Sequence, residues 1–185
     1  MPMDEVRMEL APRAGSATPP ASAPPASAPP AFASSASAPG AIVLAAHRLD
    51  VRDMRGVRRV REASLHVRAG EIVGLAGVDG AGQRELLRAL AGRMPPAAVV
   101  AENPTRGLDV RATAAVHAQL RAARARGAAV LVYSSDLDEL LALADRVLVM
   151  HAGEVHATVA TRDAVGRAML GAAVPAAVPT ATPAP

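Results

Sequence analysis

Hydrophobic and polar positions follow two different periods through the middle of the chain. Residues 42–51 and 57–67 alternate with a loose period of two, which predicts two antiparallel strands at an edge. Residues 71–76 (EIVGLA) and 128–133 (AAVLVY) are short, almost wholly apolar runs. Strands of a parallel sheet, covered on both faces, read this way. Residues 99–101 are similar and predict the end of another buried strand. Between these runs the period lengthens. Residues 82–90 place Leu86, Leu87 and Leu90 on one helical face. Residues 110–126 predict a second helix, with Val110, Ala114 and Leu120 as apolar positions and Gly127 as its stop. Shorter helices are expected at 136–144 and 162–170. A hairpin is expected from 146–151 and 154–160, turning at Ala152 and Gly153. Strands alternating with helices predict an α/β fold with a mainly parallel central sheet and an antiparallel N-terminal edge.

Residues 14–40 and 172–185 carry neither period. Residues 14–40 repeat Ala, Ser and Pro, and 172–185 return to the same chemistry. Proline denies such stretches helix and sheet, and few large apolar groups are present to offset the entropy of ordering. The sequence therefore divides into a disordered leader at 1–40, one domain at 41–171 and a disordered tail at 172–185.

Composition narrows the chemistry. Half of the 185 residues are hydrophobic, at 51%, but there is one Phe, one Tyr and no Trp, so the core rests on small aliphatic packing. The absence of cysteine excludes disulfides and thiolate metal sites. A formal net charge of +3 spread along the chain gives no nucleic-acid signal. No stretch approaches the length of about 20 apolar residues that would cross a bilayer, so direct membrane insertion is not expected. Every basic side chain is Arg. No lysine is therefore present to place a compact ammonium inside a tight phosphate loop.

The strand at 71–76 runs into Gly77-Val78-Asp79-Gly80-Ala81-Gly82-Gln83-Arg84, and a helix follows. The spacing fits the G-x-x-x-x-G-x-x frame of a P-loop. Glycines allow backbone N–H groups to turn inward around an anion, and the helix adds its N-terminal dipole. The same run could also be a plain turn; the strand before it and the helix after it favour the phosphate reading. Gln83 stands at the lysine position and offers a neutral hydrogen bond to phosphate. Arg84 stands at the hydroxyl position and has no oxygen for Mg²⁺.

Three blocks then occur in order: residues 70–92, AENPTRGLDV at 101–110, and 127–155. Together they resemble the second ATPase cassette of the fused ABC import proteins for simple sugars and nucleosides. The resemblance covers about residues 41–171 and implies a P-loop NTPase-like fold. It implies ATP and Mg²⁺ as ligands, and a second cassette and a membrane permease as partners. It also implies a place in the cytoplasm at the inner face of the plasma membrane. Gly77, Val78, Asp79, Gly80, Ala81, Gly82, Gln83 and Arg84 would contact nucleotide. Glu102 would hold the metal. Asn103 takes the place of the carboxylate that polarises the attacking water, and Ser135 that of the switch histidine. Leu108 and Asp109 would face the opposite cassette. An amide is no general base, so hydrolysis by this chain alone is not expected. His117 and His151 read as surface residues, and Asp136, Asp138 and Glu139 as acidic residues favoured at a helix start.

The resemblance also predicts a gap. In the family, a glutamine loop, a helical subdomain and a Leu-Ser-Gly-Gly signature lie between the P-loop helix and the Pro-Thr-Arg-Gly run. Here Val99 follows within a few residues of the helix, and no Ser-Gly-Gly occurs. The chain then reads either as the ATP-binding component of such an importer or as a non-catalytic remnant left by internal deletion. An unrelated small P-loop module is a third reading, disfavoured by the order of the blocks.

Overall fold

A computed structural model describes residues 40–172. The strands and helices expected between 42 and 170 are all present, with ends displaced by one or two residues. Most of the leader and tail expected at 1–40 and 172–185 lies outside the described residues.

β1 (Ile42–Arg52) and β2 (Arg58–Arg68) pair antiparallel in a sheet of their own. The remaining strands are β3 (Ile72–Gly77), β4 (Ala98–Glu102), β5 (Ala129–Tyr133), β6 (Arg146–His151) and β7 (Glu154–Thr158). They form one sheet in the order β4-β5-β3-β6-β7. The first four run parallel, and β7 returns antiparallel to β6.

Four helices cover this sheet: α1 (Gln83–Ala91), α2 (Val110–Ala125), α3 (Leu137–Leu143) and α4 (Arg162–Met169). Period two splits each central strand between two cores. Val73 and Leu75 of β3 face one side, with α1 and the β1–β2 sheet. Ile72 and Ala76 face the other, with α2, α3 and α4. Both β3 and β5 are buried throughout. That is why their sequences are apolar runs without alternation.

The connection between α1 and β4 is short. It turns through hydrogen bonds from Arg93 N–H to Leu90 O and from Ala98 N–H to Pro95 O. β4 enters the sheet directly after it.

Candidate nucleotide-binding site

The glycine loop joins the end of β3 to the start of α1. Gly80 and Gly82 have φ of 85° and 109°, so both need the freedom of a missing Cβ. At Gly80 a Cβ would meet nothing. At Gly82 it would collide with the Arg59 carbonyl of β2. The loop is clasped from the other side too. Gly153, in the β6–β7 turn, donates its N–H to Ala81 O at 3.0 Å. A Cβ on Gly153 would lie 2.8 Å from the same Arg59 carbonyl.

The helix start above this loop is open. α2, α3 and α4 are capped by the side chains of Asp109, Asp136 and Thr161, whereas α1 has Gly82 at its cap and no side-chain bond. Its first-turn N–H groups therefore project without a side-chain acceptor, and α1 is nine residues long. Such an end suits an anion.

Gln83 does something other than the expected bond to phosphate. It is buried, at 3% exposure. Its Nε2 donates to Val78 O at 2.9 Å and to the Tyr133 hydroxyl at 3.1 Å. Both amide hydrogens are consumed inside the protein. Its Oε1 is buried without a partner among the described residues. Gln83 thus braces the loop against β5. Arg84 points outward, and its Nε lies 3.2 Å from Glu102 Oε1.

Glu102 ends β4, and its carboxylate is already paired with Arg84. No group of three His, Cys, Asp or Glu able to hold a metal occurs among the described residues. The loop's backbone donors suit a phosphate anion, and the carboxylate expected to hold the metal is engaged by Arg84. Beside Glu102, Asn103 adopts φ of 45°, left-handed backbone that Asn tolerates better than most residues. Its N–H bonds Tyr133 O at 2.7 Å, and its Oδ1 accepts the Ser135 N–H at 2.8 Å.

A buried carboxylate lies just behind these residues. Glu139 accepts from Ser134 Oγ at 2.5 Å, Thr105 Oγ1 at 2.7 Å and His117 Nε2 at 2.9 Å. Burial alone would push its carboxyl up. The three hydrogen bonds and the His117 charge outweigh this and hold it below the ordinary carboxylate range. This corrects two expectations. Glu139 ties the 104–107 turn, α2 and the end of β5 together, while Asp136 alone of the three acids caps α3. His117 is no surface residue, at 16% side-chain exposure. His151 likewise has a partner, with Nδ1 3.0 Å from Met169 O.

Asp109 caps α2 through Ala112 N–H at 2.8 Å. Leu108 and Val110 on either side are exposed, at 44% and 86%. A further recess of about 510 Å³ opens between the β1–β2 turn and α1, lined by Met54, Arg55, Arg59, Glu85 and Arg88 among others. Residues 54–59 contain no aromatic, and their residue types alone did not announce it.

Comparison with known proteins bears directly on this arrangement. Over 124 residues the chain is 39% identical to a ribose import ATP-binding protein of Streptomyces avermitilis, covering 64% of this chain and 25% of that protein. It is 59% identical over 54 residues to the guanosine import ATP-binding protein of Bacillus subtilis, covering 29% of this chain and 11% of that protein. A xylose import ATP-binding protein of Burkholderia cenocepacia is 34% identical over 142 residues, with shares of 74% and 27%. The chain is a homologue of the ABC import ATP-binding proteins. It spans about a quarter of the length of the first of them, at 25%.

Solved structures agree on the fold. A nucleotide-free ABC cassette superposes with a TM-score of 0.54 at 11% identity, covering 62% of this chain and 89% of that one. An ABC cassette in its ADP conformation gives 0.53 at 10%, with shares of 70% and 95%. The described residues thus have the ABC ATPase cassette fold. No family model matches the chain.

Proposed function

We propose that this cassette is the nucleotide-binding, non-hydrolysing half of an importer for simple sugars or nucleosides. One observation carries the reading: an α1 start without a side-chain cap follows a glycine loop set between β2 and the β6–β7 turn. ATP would be held by the backbone from Gly77 to Arg84, with the recess under Met54 and Arg59 beside α1 left for the rest of the nucleotide. Hydrolysis would have to come from elsewhere. Asn103 offers an amide in place of a base, Ser135 a hydroxyl in place of an imidazole, and Glu102 is paired with Arg84. Mg²⁺ would contribute little to binding here.

The partners proposed are a second cassette, met through Leu108 and Asp109, and a membrane permease. No helix among the described residues is long and apolar enough to cross a membrane. The cassette would work in the cytoplasm against the inner face of the plasma membrane through that permease.

The competing reading is a remnant left by internal deletion. It is favoured by the inward turn of Gln83, which removes the one side chain expected to reach phosphate. Titration with a fluorescent ATP analogue separates the two. Saturable micromolar binding, similar with and without Mg²⁺ and with no phosphate release, supports the nucleotide-binding half. Absence of saturation into the millimolar range leaves the remnant.

A further inference from the structure

The two edges of the five-stranded sheet are treated differently. β7 is antiparallel, carries Glu154 and His156, and has β2 alongside, with Arg61 N–H bonded to Gly153 O at 2.8 Å. β4, of sequence AVVAE, is parallel and pairs with β5 alone among the described residues. Ala129 N–H bonds Ala97 O, and Asn103 N–H bonds Tyr133 O. Alternation between these two bonds directs the backbone groups of Val99 and Ala101 to β5. Those of Val100 and Glu102 then point outward. Val99, Val100 and Ala101 are only half-buried, unlike β3 and β5. Natural edges carry a charge, a proline or a cover, and parallel strands are normally enclosed. Within β4 there is no charge before Glu102 and no proline.

The occupant is indicated by the chain that precedes Gly40. Residues 5–10 read Glu-Val-Arg-Met-Glu-Leu, a strict alternation with Val6, Met8 and Leu10 on one face, set between Pro2 and Pro12. This pattern is unlike the Ala/Ser/Pro run after it and matches the length of β4. The geometry of entry is also favourable. Ala69 N–H bonds Ala41 O, Gly70 N–H bonds Ala128 O and Ala129 N–H bonds Ala97 O. Gly40 therefore sits at the end of the sheet where β4 begins. The separation is about three strand spacings, roughly 15 Å. The 29 residues from 11 to 39 reach several times that distance.

We propose that residues 5–10 of this chain add as a sixth strand to the outer edge of β4, with residues 11–39 as the tether. Val6, Met8 and Leu10 extend one apolar layer of the sheet, and Glu5, Arg7 and Glu9 turn to solvent. Main-chain hydrogen bonds supply the adhesion, as in other strand additions.

Amide exchange followed by NMR on the full chain tests this directly. The amides of Val100 and Glu102 are expected to exchange as slowly as those of Val99 and Ala101. In the double variant Arg7→Pro/Met8→Pro, proline removes a donor in either register. Val100 and Glu102 should then exchange at least tenfold faster, while Val99, Ala101 and Leu131 stay slow and show the domain intact. Fast exchange at Val100 and Glu102 in the parent overturns the proposal. So does equal protection in parent and variant; a dimer by light scattering in that case would assign the edge to a second copy.

Discussion

The side-chain carbonyl of Asn103 accepts the backbone N–H of Ser135 at 2.8 Å. These are the positions where the family resemblance places a water-polarising carboxylate and a switch histidine. Here they are joined to each other, one at the end of β4 and one after β5. The two positions form one structural unit, a side-chain acceptor on left-handed backbone joined to the N–H that follows β5. Two substitutions separate those roles. Asn103→Gly keeps the backbone and loses the bond, for a loss of about 1 kcal/mol. Asn103→Ala loses the same bond but keeps a Cβ at φ of 45° that Gly lacks, and should fall about 1–2 kcal/mol below Gly. Urea midpoints are expected in the order parent, Gly, Ala.

Gln83→Lys is expected to give no ATP turnover, because Asn103 and Ser135 still supply neither base nor imidazole. It should also destabilise the fold. The amide's bonds to Val78 and Tyr133 are lost, and an ammonium enters a site at 3% exposure, for roughly 2 kcal/mol or more. Phosphate release and thermal unfolding check the two halves. Measurable turnover would show that the position of Gln83 alone was limiting.

Gly80→Ala and Gly82→Ala isolate backbone strain from collision. Both residues have positive φ, so each substitution carries about 1–2 kcal/mol of strain. Only at Gly82 does the new Cβ strike the Arg59 carbonyl. Gly80→Ala should fold with a modest loss of stability. Gly82→Ala should lose the native loop or fail to accumulate as folded protein, as judged by denaturation and by the chemical shifts of β2.

The Glu139 cluster makes stability depend on acid. Its carboxyl is held below the ordinary value of 4.5 in the folded chain. The unfolded chain therefore takes up the proton first as pH falls. The stabilisation is complete well above 4.5, and it is lost as pH drops from there through the folded value. Glu139→Gln should be less stable than the parent at pH 7 and should show a flatter acid limb. Denaturation midpoints measured from pH 7 to pH 3.5 test this, and parallel limbs would overturn it.

The sheet and its loop were legible because their causes are local. The apolar runs of β3 and β5, the spacing from Gly77 to Gly82 and the stop at Gly127 each act through neighbours in sequence. Glu139 was misread for the opposite reason. An acid in the first turn of a helix is sufficiently explained by the dipole. Nothing at that position announces Thr105, 34 residues back, or His117, 22 residues back. Gln83 is similar: its partner hydroxyl, on the one Tyr of the chain, lies 50 residues away. A lone Tyr ending an apolar strand was the one available hint, since a buried hydroxyl needs a partner.

The Arg59 carbonyl has a consequence for how the domain comes apart. The glycine loop, at Gly82, and the β6–β7 turn, at Gly153, both pass so close to that one oxygen that neither leaves room for a Cβ. Around this oxygen, hydrogen bonds from Arg61 N–H to Gly153 O and from Gly153 N–H to Ala81 O link β2, the turn and the loop, so none moves away without breaking one of them. Opening of the hairpin sheet and loss of the loop should therefore occur as a single event, and a probe on β2 should report the integrity of the anion cradle.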